Sequence, residues 1–186
     1  MVTEEKNSIK NINIDKILKS IPTATRHKRE KMRSNAIGWI NTEVEAQRQA
    51  AERLIDALDT QEQNERNDLH EEIRGLDTFG RVIRAFTVQP INETEEMLIQ
   101  VLLDYPGSTS ITLTQALGWN AQSCHLHFGT MCKNRISYLW PAPVSKHRDR
   151  MFYSGILAEF AEPENLFTIK PDAAAAFAQL GLRKKT

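Results

Sequence analysis

Ile111 to Leu139 reads ITLTQALGWNAQSCHLHFGTMCKNRISYL, two helical patterns that meet at a glycine. Leu113, Ala116 and Leu117 form a short apolar stripe, and Gly118-Trp119-Asn120 interrupts it. The pattern then resumes with Cys124, Phe128, Met131, Cys132 and Leu139 near one face of a longer helix. A short helix, a tight turn containing Gly and a second striped helix make a helix-turn-helix. Asn120 is expected to cap the second helix, because its side-chain oxygen can accept from a free backbone N–H two or three residues on.

Upstream, Asn92 or Thr94 is expected to cap a helix whose first turn carries Glu93, Glu95 and Glu96, favourably placed at its positive end. Its core face reads Met97, Leu98, Val101, Leu102 and Tyr105, and Pro106-Gly107 stops it. The β-branched run from Ser108 to Leu113 is consistent with a small strand. Downstream, Pro141 and Pro143 force an irregular passage into the basic stretch Lys146-His147-Arg148-Asp149-Arg150. Met151 to Phe160 reads as a strand, Ala161 to Asn165 as a turn and Leu166 to Lys170 as the returning strand. A last helix is expected from Asp172 to Leu180, preceded by Pro171 and ended by Gly181.

The first half is organised by charge and by a seam. The net charge is zero, with 24 Lys+Arg against 24 Asp+Glu, but the two signs are segregated. Met1 to Asn35 holds nine basic and four acidic residues, whereas Glu43 to Asp77 holds eleven acidic and four basic ones. Such an asymmetry often marks a nucleic-acid-contacting tail. Ile37, Ile40, Val44, Ala51, Leu54 and Leu58 follow alternating three- and four-residue steps, with Gln47 filling the one polar step. This heptad-like seam is of the coiled-coil kind and usually pairs with a second helix, within the chain or in a homodimer. After the polar stretch Asp59 to Asp68 the pattern resumes at Leu69, Ile73, Leu76 and Ile83. Either two helices form a hairpin around Asp59-Thr60-Gln61, the preferred reading, or one long helix carries a polar interruption.

The order helix, short strand, helix, turn, helix, two-stranded hairpin, helix resembles the winged helix-turn-helix superfamily over Glu93 to Leu182. ITLTQALGWNAQSCHLHF and LFTIKPDAAAAFAQLGL carry the resemblance. It implies that exposed residues near the start of the second turn helix meet base edges, while the wing meets phosphate or the minor groove. Carried onto this chain, the base-facing positions are Gln122, Ser123 and His125, and Lys133 and Arg135 lie further along for phosphate. Gln can pair bidentately with adenine. The wing tip carries Glu159, Glu162 and Glu164, which phosphate would repel. Backbone contacts are therefore expected from Lys146, Arg148 and Arg150, and from Arg26, Lys28 and Arg29 of the basic arm.

The expected fold is mainly α with a small β-wing. Residues 1–35 form a basic, partly disordered arm, 36–88 a helical hairpin or coiled-coil-like dimerisation region, and 89–186 the winged-helix domain. The function this implies is sequence-specific binding of double-stranded DNA by a bacterial-type transcriptional regulator, dimeric and cytoplasmic. The alternative is a winged-helix adaptor that binds protein, and the third reading is a small enzyme or zinc-dependent protein. No segment approaches the roughly 18 consecutive apolar residues of a transmembrane helix, so no membrane partner is expected. No secretory signal is read in the first thirty residues. Cys124, His125, His127, Cys132 and His147 are ligand types that zinc accepts. The two cysteines are eight residues apart, about 12 Å along a helix at 1.5 Å per residue, and no CxxC or HExxH is present. Buried thiols, no metal and no cofactor are the expectation. GxxxxGK[ST], GxGxxG and GxSxG are absent, so no catalytic residue is named.

Overall fold

The computed structural model describes residues 13–120, 123–144, 151–161 and 163–185. The chain is mainly helical and carries one small antiparallel sheet toward its C-terminus. It divides into two compact units, Met1–Asp68 and Leu69–Thr186.

The first unit contains α1 (Ile14–Ser20), a short 3-10 turn, α2 (Arg26–Ile40) and most of α3 (Glu45–Arg74). Asn13 caps α1 by accepting from Lys16 N, and Thr25 caps α2 by accepting from Lys28 N. Within the expected arm, α1 and the start of α2 are helical, and residues 1–12 lie outside the described residues. The expected hairpin at Asp59-Thr60-Gln61 is replaced, because α3 runs unbroken through it. No Gly or Pro occurs between Glu45 and Arg74, so nothing local stops the helix.

The seam breaks elsewhere, where Asn41 to Val44 separate α2 from α3. Ala51, Leu54 and Leu58 are buried with Ile21 and Ala36, whereas Ile37 and Val44 stay exposed at 55% and 36%. Beyond Leu58 the same face of α3 continues in carboxylates. Arg33 pairs with Asp59 at 2.7 Å and Glu62 at 3.0 Å, and Arg29 with Glu65 at 2.8 Å. The polar stretch is thus the ionic extension of an intramolecular helix contact. Exposed pairs contribute about 0–1 kcal/mol each, while burying one Leu contributes about 1.5–3 kcal/mol. Apolar packing holds the unit and the charges set the register.

The second unit contains the end of α3, α4 (Thr78–Val88), α5 (Glu93–Asp104), β1 (Ser108–Thr109), α6 (Ser110–Ala116), α7 (Ser123–Asn134) and α8 (Ile136–Leu139). A second 3-10 turn (Tyr153–Ile156), β2 (Ala158–Ala161), β3 (Leu166–Ile169) and α9 (Pro171–Gln179) complete it. The sheet order is β1-β3-β2, with Ser108 opposite Phe167 and Phe160 opposite Phe167 on the other side. The boundary at residue 89 is corrected: α4 packs along α8 and α9 and buries Val82, Ala85 and Phe86 in this core. Phe86 meets Phe177 edge-on at 5.2 Å. α5 contacts α6, α7 and β3, so its buried face is wider than one stripe. Ile99 and Leu103 are buried with Leu98, Val101 and Leu102, while Met97 and Tyr105, read as core, are exposed. The predicted strands are shorter than expected. Ser110 to Leu113 turns into α6 behind a Thr109 cap, and Tyr153 to Ile156 forms the 3-10 turn before β2.

Replacing Leu54, buried to 2% exposure, by Ala should destabilise the protein by about 2–5 kcal/mol. Ile37→Ala should cost well under 1 kcal/mol, because most of that side chain is already in water. Chemical denaturation of the two variants checks this, and equal losses would restore the continuous seam.

Candidate nucleic-acid interface

α6 and α7 meet through a turn that the backbone closes on itself. Gly118 adopts φ 67°, open to glycine without steric cost, and Trp119 N donates to Thr114 O at 3.0 Å. The buried Thr114 hydroxyl accepts from Cys124 N at 3.2 Å, satisfying a free donor at the start of α7. The cap predicted at Asn120 borders Ala121 and Gln122, which lie outside the described residues. Gln122 itself, and the phosphate candidates Lys146, Arg148 and Arg150, share that position, as does Glu162 of the wing tip.

Cys124, Phe128, Met131 and Cys132 turn inward on α7, as its apolar pattern predicts. Ser123, Leu126, Thr130 and Lys133 recur at three- and four-residue steps on the opposite side, and the last three are exposed. Leu126 leaves 63% of its surface in water. His125 sits on the flank toward α6, half-buried, with Nδ1 3.1 Å from Ser110 Oγ. His127 lies on the other flank, its ring 4.9 Å from that of Trp119. There His127, Thr130 and Asn134 line a cleft of about 390 Å³ with Asn92, Glu93 and Glu95 at the start of α5. Of the predicted base-facing residues, the structure therefore keeps Ser123 at the edge of the outward stripe and moves His125 aside. Leu126, Thr130 and Asn134 were not singled out from sequence, although their spacing from Ser123 contains them.

Arg135 overturns its assignment to phosphate. It is 3% exposed. Its guanidinium grips Glu95 in a bidentate pair, Nη1 to Oε1 at 2.8 Å and Nη2 to Oε2 at 2.7 Å. It also donates to the carbonyls of Gln89, Pro90 and Met131 and lies 4.4 Å from the Phe86 ring centre. A phosphate could reach it only by dismantling this packing. Arg29 is likewise held, by Glu65 and by Ala24 O. Arg26 and Lys28 are exposed, with Arg26 paired to Glu30 one turn along. Lys133 is exposed at the end of α7.

On the sheet side, Glu159 and Glu164 are exposed, so the described part of the hairpin remains acidic. Val144 bridges Met151 antiparallel, and the basic stretch between them in sequence, 145–150, lies outside the described residues. Among the described residues no group of three or more His, Cys, Asp or Glu could hold a metal. Burial pushes the Cys124 thiol up to about 11 and raises that of Cys132 further. No family model matches the chain, and no curated protein or solved structure matches it. No helix among the described residues is long and apolar enough to cross a membrane.

Two outcomes follow. Arg135→Met should cost about 3–5 kcal/mol, because it leaves the Glu95 carboxylate buried without its partner. Denaturant titration checks this, and a loss below 1 kcal/mol would return Arg135 to the surface. The second concerns Cys124, whose ordinary value is 9.0. The unfolded thiol ionises before the folded one does, so the stability it contributes is intact below pH 9.0 and declines as pH rises toward 11. Cys124→Ala should flatten that decline in melting curves taken across the window. Native protein at pH 8 should react with iodoacetamide far more slowly than unfolded protein.

Proposed function

We propose that the second unit binds double-stranded DNA with α7 as its reading helix, as a sequence-specific regulator of bacterial type. The observation that carries this reading is α7 itself. In a chain with 24 acidic residues, its twelve residues include no carboxylate, and its outward stripe offers hydrogen-bonding side chains at Ser123 and Thr130 before Lys133. The setting supports it. The succession α5, β1, α6, α7, α8, 3-10 turn, β2, β3 with sheet order β1-β3-β2 supports the winged helix-turn-helix reading, α8 and the 3-10 turn being additions between the reading helix and the hairpin. Ser and Thr hydroxyls can serve either kind of base edge, and Lys133 supplies a phosphate contact. The hairpin carries Glu159 and Glu164, so backbone attraction must come from the segment between Val144 and Met151, which contains Lys146, Arg148 and Arg150. Arg26 and Lys28 of the first unit are the remaining exposed cations assigned to DNA. A second copy would sit on Ile37 and Val44, the two seam residues left exposed among the described residues.

One observation favours the other reading, a protein-binding adaptor. Leu126 stands in the middle of the outward face of α7, and Ile111 on α6 is half exposed. Exposed apolar residues on the presented helices suit a protein groove better than a phosphate backbone.

A duplex library tested at low and moderate salt separates the two. DNA binding should weaken with a log–log slope of about −0.9 per phosphate neutralised. Lys133→Ala should flatten that slope by about one contact for every sequence alike, whereas Thr130→Ala should relax sequence preference by about 1–3 kcal/mol at one position. Folded protein that binds no duplex at low salt would move the function to the adaptor.

A further inference from the structure

A cleft of about 280 Å³ lies between α4, the passage after α8, the second 3-10 turn and the start of α9. It takes no part in the DNA reading. The volume is at the small end of ligand cavities, which run about 300–1,000 Å³. Pro141 and Pro143 give it exposed apolar walls above the buried Val82, Leu139 and Ile156, and Thr78, Arg81 and Lys170 give it polar ones.

The two cations are unusual in this protein. Arg29, Arg33, Arg48, Arg84 and Arg135 are the other described arginines that are at least half-buried, and each pairs with a carboxylate. Arg81 is half-buried and, among the described residues, pairs with none. Instead Nε donates to Ile73 O at 3.1 Å and Nη1 to Trp140 O at 2.8 Å, with the guanidinium over the Trp140 ring. A guanidinium has five N–H donors, so three remain. Lys170 is the one described lysine that is not exposed. Its Nζ donates to Gly155 O at 2.6 Å, which leaves two of an ammonium's three donors. Gly155 has no room for a Cβ against Phe152 and Pro143, so that carbonyl is held firmly.

The carboxylates near in sequence are turned to other work. Asp77 caps α4 through Gly80 N at 2.7 Å, and Asp172 is exposed on α9; neither lines the cleft. Two fixed cations with spare donors, no acid among the described lining residues and apolar walls together match an anion attached to an apolar body. A free inorganic phosphate would satisfy the cations and leave the walls bare.

We propose that this cleft binds a small monocarboxylate with a compact aromatic or branched aliphatic body. The carboxylate takes the open donors of Arg81 and Lys170, and the body covers Pro141 and Pro143, close above the methyls of Val82, Leu139 and Ile156.

Titration calorimetry of the full chain with benzoate tests this, with benzamide and inorganic phosphate as controls at matched ionic strength. Saturable benzoate binding is expected, at least about tenfold tighter than either control, since charge-assisted hydrogen bonds are lost with benzamide. Lys170→Gln should weaken benzoate about tenfold and Lys170→Arg should retain it. Methyl NMR of the unmutated protein reads the site even if a variant fails to fold. Benzoate should shift Val82, Leu139 and Ile156 and leave Leu54 and Leu58 of the first unit unmoved. No saturable binding, equal binding of a control, an unchanged Lys170→Gln, or shifts confined to other methyls would each overturn the proposal.

Discussion

Arg135 and Glu95 form the constraint on which the second unit depends. Glu95 is the third residue of α5 and already closes a capping box: its carboxylate accepts from Asn92 N at 3.3 Å and Asn92 accepts from Glu95 N at 2.9 Å. The same carboxylate takes both prongs of Arg135, which follows the last residue of α7. Arg135 reaches on to Gln89 O and Pro90 O in the link that leaves α4. Three helices are thus tied at one buried point. Ionic burial of this kind is costly unless every donor is used, and here the carbonyls use the donors that the carboxylate leaves. A hydrophobic pair could fill the same space but would fix neither the angle of α7 against α5 nor the path of the Gln89–Pro90 link.

Charge plays a different part in the first unit. The basic and acidic blocks look, along the chain, like a tail for a polyanion and a solvated face. In space Arg29 and Arg33, four residues apart on α2, meet Asp59, Glu62 and Glu65 on α3. Two of the most basic positions are therefore neutralised by the chain itself. What reaches solvent is a smaller cationic surface, including Arg26 and Lys28, than the count of nine basic residues suggests.

Local patterns carried most of the architecture, and non-local pairing carried what they missed. The break at Gly118, the stripe Cys124–Phe128–Met131–Cys132, the Asn92 cap and the Pro171 start are each set by residues within a turn or two, so the sequence contains them. The unbroken α3 was obscured because a seam that passes from leucine to carboxylate imitates a turn. Only the arginines of α2 show that its partner continues. Arg135 misled for the same reason. An arginine at a helix end reads as exposed by default, and its carboxylate lies forty residues upstream. The cleft around Arg81 and Lys170 joins positions far apart in the chain, and no spacing rule connects them.

The electrostatics around α7 narrow what a partner can be. With Arg135 withdrawn, Lys133 is the one cation on that helix, and Glu93 lines the flanking cleft. A duplex laid along the outward stripe meets polar hydroxyls at Ser123 and Thr130, then Leu126, before any phosphate partner. An apolar contact at that position suits a thymine methyl as well as a protein side chain, so Leu126 alone does not decide the partner. The number of phosphates neutralised does. Non-specific attraction comes almost wholly from such contacts, and α7 with the acidic hairpin supplies too few. The segment joined by the Val144–Met151 bridge holds Lys146, Arg148 and Arg150 against one acid, Asp149, and so has the charge that α7 lacks. The proposed DNA binding therefore requires a division of labour. Selection is assigned to α7, and most of the attraction to the backbone, beyond the single contact of Lys133, is assigned to cations outside the reading helix.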